Sequence, residues 1–334
     1  MASSLPPSRG AVNEPATTSP EARQATGLVD VHAHLTDEKL VHEVPAVLAR
    51  AAAAGVTAIL TVGTDLPTSR AALALAHDHA SAPSNAHDVE PATAPPPAAA
   101  TPASTPAAAP APGQALPPDA LSPIEPPPFP LPSVWAAVGV HPHDARTWPP
   151  DTAAELARLW ADPRVVALGE MGLDYHYDFS PREVQREVFI TQWDLAARLG
   201  APAVVHVREA FADFFALIAG RPRPPQVLLH CFSGDLDTAR RALDLGFDFS
   251  VGGPLTYPKS QDTRAIFAFL PLDRIHLETD CPYLAPQPRR GKVNEPSFLP
   301  MTLAVLSQVK QIDPAALARQ LAANARRLFP KMRF

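Results

Sequence analysis

The sequence predicts an α/β fold built on parallel strands, and two observations carry the prediction. Eight short runs rich in apolar and β-branched residues recur along the chain. Most of them are continuous rather than alternating, as expected for strands that are covered on both faces. Segments with helical spacing separate the runs. The runs are 28–32, 57–62, 134–140, 165–169, 203–207, 226–230, 247–251 and 275–278.

The segments between the runs have the periodicity of amphipathic helices. The clearest is 182–199, in which Val184, Val188 and Leu195 share one stripe and Gly200 supplies a stop. Six others are predicted at 38–54, 66–80, 151–161, 209–219, 235–245 and 260–270. Strand and helix alternating over about 250 residues is typical of a (β/α)8 barrel. An open doubly wound sheet is the alternative, disfavoured because no Gly-x-Gly-x-x-Gly follows the first strand.

Two parts of the chain depart from this pattern because they are rich in proline. Of the 42 prolines, 17 lie within residues 81–133 and four within residues 1–26. We therefore expect a disordered tail at 1–26 and one barrel domain at 27–334, interrupted by a disordered Pro/Ala-rich insert at 81–133. The insert joins a helix to the next strand, so it should leave the barrel at the face remote from catalysis. Its polyproline II stretches could dock a protein partner.

Composition and charge exclude several classes of protein. The formal net charge is −6, of which the insert carries −4, so the remainder is neither strongly basic nor strongly acidic. Cys231 and Cys281 are the only cysteines, which excludes a disulfide framework and a four-cysteine zinc site. The chain has neither a long apolar run nor a secretory signal pattern. We expect a cytoplasmic monomer without membrane association, with a nuclear location and an organellar transit peptide left open.

Polar side chains follow the predicted strands at the point where each strand ends. The active face of a (β/α)8 barrel is built by the loops after these ends, so we expect the side chains to meet there. In chain order they are His32, His34, His141, His143, Glu170, His206, Arg208, His230 and Asp280. Asp174, shortly after Glu170, is expected to orient the loop that carries Glu170.

The spacing of these residues predicts two metal sites. His32 and His34 point to the same side of a strand and can chelate one divalent ion. Asp280, on the neighbouring last strand of a closed barrel, could complete that site. The histidines on the fifth and sixth strands form a second pair, and Glu170 could bridge two ions about 3.5–4 Å apart, as in two-metal hydrolases. Imidazole with carboxylate suits Zn, Mn or Fe and tolerates Mg.

Several segments, in order along the chain, resemble the TatD family of metal-dependent deoxyribonucleases. They are LVDVHAHL, GVHPH, VVALGEMGLDYHYDFSPREVQREVFITQWDLAARLGAPAVVHVREA, HCFSG, IHLETDCPYLAP and RGKVNEP. The similarity covers 28–80 and 134–329. It implies a TIM barrel of the metal-dependent hydrolase superfamily that holds two divalent ions, with Mg²⁺ first and Mn²⁺ or Zn²⁺ as alternatives. The implied ligands are His32, His34 and Asp280 for one ion, His206 and His230 for the other, and Glu170 between them.

The resemblance also implies a reaction, the hydrolysis of phosphodiester bonds by a 3′-exonuclease that prefers single-stranded DNA. Its role would be in DNA repair or DNA degradation. Two ions would polarise the phosphoryl oxygen and lower the pKa of water toward 7. Asp280 is the candidate general base, and Glu170 is the second catalytic residue. Substrate contacts are expected from His141, His143, Arg208, Arg289, Arg290 and Lys292.

Two other functions are left open by the residues. A hydrolase of the same superfamily that acts on an ester or amide, for example on an aminoacyl-tRNA, would use the same ligands. An apolar acyl pocket beside the metals, in place of phosphate donors, would distinguish it. A non-catalytic metal-binding protein recruited through the insert is the third reading, disfavoured because all six ligands are present.

Overall fold

The computed structural model describes residues 27–80 and 129–334. The predicted disordered tail lies outside these residues, and so does the predicted insert apart from its last five positions. Within the described ranges, eight parallel strands pair in chain order. They are β1 (Leu28–Ala33), β2 (Val56–Val62), β3 (Ser133–Val138), β4 (Val165–Asp174), β5 (Ala203–Arg208), β6 (Val227–Leu229), β7 (Asp248–Val251) and β8 (Ile275–Leu277).

The chain that follows β8 returns to β1. The backbone N–H of Asp280 donates to the carbonyl of His32 at 2.9 Å, and the N–H of His34 donates to the carbonyl of Cys281 at 2.8 Å. The first and last strands are thereby joined beyond their C-terminal ends, and the sheet curls into a nearly closed barrel. The predicted (β/α)8 architecture is confirmed, and the open doubly wound sheet is excluded.

Nine α-helices accompany these strands in the described part of the chain. They are α1 (Val44–Ala53), α2 (Leu66–Asp78), α3 (Thr152–Trp160), α4 (Arg182–Leu199), α5 (Phe211–Ile218), α6 (Leu236–Asp244), α7 (Gln261–Phe269), α8 (Leu299–Lys310) and α9 (Pro314–Leu328). The helix predicted at 38–54 begins only at Val44, because Pro45 fits the first turn of a helix but not its interior. No helix among those described is long and apolar enough to cross a membrane.

The hydrophobic core extends beyond the elements that the sequence predicts. One cluster of buried side chains joins the strand residues Val31, Leu60 and Val166 to the end of α9. On the helix side it contains Leu328, which ends α9, and Phe329, which follows it. The C-terminal helix is therefore part of the barrel core.

Strand β4 is longer than predicted, and this changes the position of Glu170. The strand was expected to end at Gly169 but continues to Asp174. Gly169 and Gly172 have φ values of 140° and 151°, which other residues rarely adopt. A Cβ on Gly172 would also lie 1.8 Å from the carbonyl oxygen of His206, so only glycine allows β4 and β5 to approach here. Glu170 thus lies within a strand.

The described residues on either side of 81–128 meet at the N-terminal ends of the strands. The N–H of Val134 donates to the carbonyl of His79 at 3.2 Å, just after α2. This junction lies on the face opposite to the polar strand ends. The predicted last residue of the insert, Ser133, is instead the first residue of β3, because its N-terminal neighbours lead directly into the sheet.

Deleting residues 84–128 is expected to leave the barrel folded and active. The deletion keeps Leu131, which packs against the core. The free energy of unfolding should change by only about 1–2 kcal/mol, since the entropy of closing a loop grows slowly with its length. Urea denaturation and a nuclease assay, with a Gly/Ser replacement of equal length as control, would measure this. Unfolding of the deletion variant but not of the replacement would contradict the placement.

Candidate active site

Glu170 lies at the centre of the polar strand ends, with its side chain only 2% exposed. Its Oε2 faces the histidines of β1 and the loop that follows, at 3.2 Å from His32 Nε2 and 3.6 Å from His34 Nε2. Asp280 closes this group, with Oδ1 at 3.4 Å from His34 Nε2 and 3.7 Å from His32 Nε2. These donor atoms converge on one point, where His32, His34 and Asp280 could hold one ion.

The other oxygen of Glu170 faces a second group of histidines. Oε1 lies 2.7 Å from His230 Nε2, 3.2 Å from His206 Nδ1 and 3.3 Å from His141 Nε2. The two histidines that were predicted as a pair are themselves in contact, with His206 Nδ1 at 3.1 Å from His230 Nε2. The carboxylate of Glu170 therefore lies between two groups of donors, which is the geometry expected of a bridging ligand.

The chemistry of these donors fits divalent cations. Glu170 Oε2, which faces the first group of donors, is buried and has no hydrogen-bond partner among the described residues. The rings of His32 and His230 stack at 3.9 Å between centroids. Leaving a buried polar atom without a partner costs free energy. Imidazole nitrogens and carboxylate oxygens that converge on one point are the usual surroundings of a divalent metal ion.

The electrostatics of the cluster favour the same interpretation. Burial lowers the pKa of His32 to about 4, so its ring is neutral at pH 7, the form that binds a metal. Burial raises the pKa of Glu170, but the neighbouring His230 and His141 lower this pKa by more than burial raises it. The carboxylate of Glu170 therefore stays ionised. Burial lowers the pKa of His34, yet the hydrogen bond to Asp280 and the charge of Glu170 raise it to about 9. The carboxylates of Glu170 and Asp280 thus attract positive charge to the point where the donor atoms converge.

Asp174 has a role that the sequence did not reveal. Its Oδ2 lies 3.0 Å from His206 Nε2 and 3.0 Å from His143 Nε2, so one carboxylate oxygen orients both rings. Its Oδ1 accepts from the backbone N–H groups of His176 and Tyr177, at 2.9 Å each. Asp174 was predicted to orient a loop carrying Glu170, but Glu170 lies within β4, and the loop that Asp174 holds is the one after this strand. The sequence predicted that β4 ends at Gly169, so it gave no signal that Asp174 ends this strand beside that of His206.

Glu278 is a residue for which the sequence suggested no role. It directly follows β8, is fully buried, and its Oε2 accepts from the Ser250 hydroxyl at 2.6 Å. The same oxygen lies 3.9 Å from His230 Nδ1, the ring atom that faces away from Glu170. Burial raises the pKa of Glu278 to about 8. Its position after a strand is the signal that could have placed it behind the histidine.

The residues predicted to contact substrate occupy three different settings. His141 is 8% exposed and lies inside the cluster rather than at its rim. The ring of His143 lies one layer further out, held by Asp174. The guanidinium of Arg208 lies 4.9 Å from the ring centroid of Tyr177, on the loop after β4. His141 therefore lies among the donor atoms of the cluster, whereas His143 and Arg208 border this cluster.

The remaining predicted contacts are exposed on the segment after β8. The guanidinium of Arg289 lies over the Phe298 ring at 5.4 Å, and that of Arg290 lies over the Tyr257 ring at 4.5 Å. Lys292 is exposed on the same turn. These three side chains form a basic rim, and their contact with phosphate stays a prediction.

Replacing Asp174 with Asn is expected to weaken metal binding about 10–100-fold, because partners of this kind fix the ring orientation of a ligating histidine. Calorimetric titration with Mn²⁺ would measure the affinity. The matched control is Asp178→Asn on the same loop, where the carboxylate is exposed and pairs with Arg182 at 2.7 Å. Equal affinities in the two variants would contradict the role of Asp174.

Comparison with known proteins identifies the family of this chain. Residues 130–330 match the family model described as TatD related DNase. A protein of Edwardsiella piscicida named 3′-5′ ssDNA/RNA exonuclease TatD is 34% identical over 310 residues, covering 90% of this chain and 99% of the relative. A Bacillus subtilis protein named as an uncharacterized metal-dependent hydrolase, YabD, is 37% identical over 197 residues, covering 59% of this chain and 77% of the relative.

A solved structure gives the same result for the fold. The crystal structure of the TatD homologue YJJV from Escherichia coli superposes with a TM-score of 0.71 at 27% identity, covering 92% of this chain and 99% of the homologue. This chain therefore belongs to the TatD related DNase family and is a metal-dependent hydrolase that acts on ester bonds.

Proposed function

We propose that this chain is a 3′-exonuclease that hydrolyses single-stranded DNA with two divalent ions. The observation that carries the proposal is the position of Glu170, whose two carboxylate oxygens face two separate groups of histidines. In the proposal, His32, His34 and Asp280 would hold one ion, His206 and His230 would hold the other, and Glu170 would be shared between them. His141 lies close enough to join the second group. The relative named as a 3′-5′ ssDNA/RNA exonuclease supports this direction of cleavage.

The residues of the chain divide the work of hydrolysis. When bound, a pair of divalent ions supplies positive charge at the phosphoryl oxygens and lowers the pKa of water toward neutrality. Glu170 keeps its negative charge between the two donor groups. Asp280 accepts a proton on its carboxylate from the attacking water, because it stays ionised at pH 7 and is 13% exposed. Burial raises its pKa, but the hydrogen bond from His34 and the charges of His32 and His230 lower it further.

The identity of the metal is part of the proposal. Imidazole nitrogens suit Zn²⁺ and Mn²⁺ well, whereas Mg²⁺, the first choice from the sequence, prefers oxygen ligands. The number of histidines around Glu170 therefore favours Mn²⁺ or Zn²⁺ more than the ligand types alone suggested. A series of all three metals would distinguish them.

The basic rim favours a substrate that has a phosphate backbone. Arg208 ends β5, and the exposed side chains of Arg289, Arg290 and Lys292 follow β8; cations of this kind position a nucleic-acid backbone. We retain the further expectations as proposals: a monomer in the cytoplasm, a role in DNA repair or degradation, and a protein partner bound through the insert.

Labelled oligonucleotides test this function directly. Single-stranded DNA carrying a 5′ label should be shortened stepwise from its 3′ end, in the presence of a divalent metal and not with a chelator. Double-stranded DNA and RNA of the same sequence serve as comparisons. Shortening from the 5′ end, or cleavage of an aminoacyl ester without cleavage of DNA, would contradict the proposal.

A further inference from the structure

Exposed aromatic side chains are concentrated at the rim of the active face. Three of them lie on loops around the donor cluster, since Tyr177 and Phe179 follow β4 and Tyr283 follows β8. Exposed aromatics cost solubility and contribute little to a core, so a group of them beside a site indicates binding. The exposed aromatics of the described residues are Phe129, Tyr177, Phe179, Phe269 and Tyr283.

Tyr177 and Phe179 form a stacked pair that is open to solvent. Their ring centroids are 5.3 Å apart with an angle of 21° between the planes. Tyr177 and Phe179 are 49% and 54% exposed, so the pair is accessible to a ligand. Arg208 extends the pair, since its guanidinium lies 4.9 Å from the centroid of Tyr177. A flat apolar surface and a cation are thus adjacent.

The stacked pair is connected to the donor cluster through two histidine rings. The ring of His143 lies 4.7 Å from Phe179 and 5.5 Å from Tyr177, measured between centroids. It lies 4.3 Å from the ring of His141, whose Nε2 is 3.3 Å from Glu170. A strand with one phosphate at the donor cluster would therefore bring a neighbouring base to the stacked pair.

The loop that carries the pair is held in place by the site itself. Asp174, which orients two site histidines, also accepts from the backbone N–H of Tyr177. The hydroxyl of Ser180, beyond Phe179, donates to the carbonyl of His143 at 2.7 Å. Because these bonds fix both ends of the loop, the aromatic surface is formed before any ligand binds, which reduces the entropy lost on binding.

We propose that Tyr177 and Phe179 form a stacking surface for the bases of single-stranded DNA, with Arg208 binding a backbone phosphate. This inference rests on the proposed function and adds how the site selects single strands. Every base has a flat face, so stacking tolerates any sequence. In a duplex the faces are covered by neighbouring bases, and the surface would have nothing to bind.

Binding measurements on substituted proteins test the stacking surface. The probe is a short strand of thymidine nucleotides with a 5′ fluorophore and phosphorothioate linkages, followed by fluorescence anisotropy. Phe179→Ala and Tyr177→Ala should each raise the Kd about tenfold. Phe179→Trp, which keeps a flat ring, should bind as the natural protein does. A strand of the same length with tetrahydrofuran in place of every base should bind to the Ala variants and to the natural protein alike.

Phe269→Ala is the matched control. Phe269 is 45% exposed and has a guanidinium above it, that of Arg240 at 5.4 Å, but it ends α7 on the opposite face of the barrel. This variant should bind both strands normally. An unchanged Kd in both Ala variants overturns the inference, and so does an equal loss of affinity for the strand without bases. If the Kd values follow the expected pattern but the natural protein does not cleave unmodified DNA, the proposed function is contradicted and the stacking surface is supported.

Discussion

Replacing Glu170 with Ala is expected to abolish metal-dependent cleavage of single-stranded DNA, with kcat falling on the order of a thousandfold or more. The variant loses the one group whose two oxygens face both sets of histidines. Glu170→Gln should have nearly the same effect, because it keeps the shape of the side chain and removes the charge. A single-turnover assay with labelled oligonucleotides measures the loss.

The control for Glu170 is Glu183→Gln, which changes an exposed carboxylate in the first turn of α4. It should leave cleavage unchanged. Thermal unfolding of each variant separates loss of the site from loss of the fold. Cleavage by folded Glu170→Gln at the natural rate would exclude a bridging role for this residue.

Asp280→Asn is expected to lower kcat by about 10²–10⁴-fold, the usual contribution of a general base. The amide cannot accept the proton, and it is a poorer ligand beside His34, whose Nε2 lies 3.4 Å from Asp280 Oδ1. The loss should persist at saturating metal, since added metal restores only binding. Steady-state kinetics over a range of metal concentrations measures both effects.

Asp262→Asn, at an exposed position in the first turn of α7, is the control for Asp280. It should match the natural protein at every metal concentration. Full recovery of kcat in Asp280→Asn at high metal would show that Asp280 only binds the ion. The proton would then have to pass to another group.

The first metal group could be predicted because it depends on simple regularities. The alternation of side chains along a strand places His32 and His34 together, and barrel closure brings Asp280 beside them. The structure brings all three within the distances expected of common ligands. Both regularities operate through the backbone, which the sequence pattern reveals well.

The positions of His141 and Asp174 depend on the path of the backbone at particular residues. His141 was predicted to contact substrate, yet its ring lies among the donor atoms, with Nε2 3.3 Å from Glu170 Oε1. Asp174 acts on His206 because β4 continues past Gly169 and Gly172, and this continuation requires unusual backbone angles. Neither feature has a periodic signal, so the sequence predicted the chemistry of the site better than its arrangement.

The most direct test of the two-metal site is the number of ions that it holds. Chelator-treated protein would be titrated with Mn²⁺ and followed by electron paramagnetic resonance. We expect two ions per chain with coupled spins, since a shared carboxylate holds the ions about 3.5–4 Å apart. A single ion per chain, or two ions without coupling, would contradict a site bridged by Glu170.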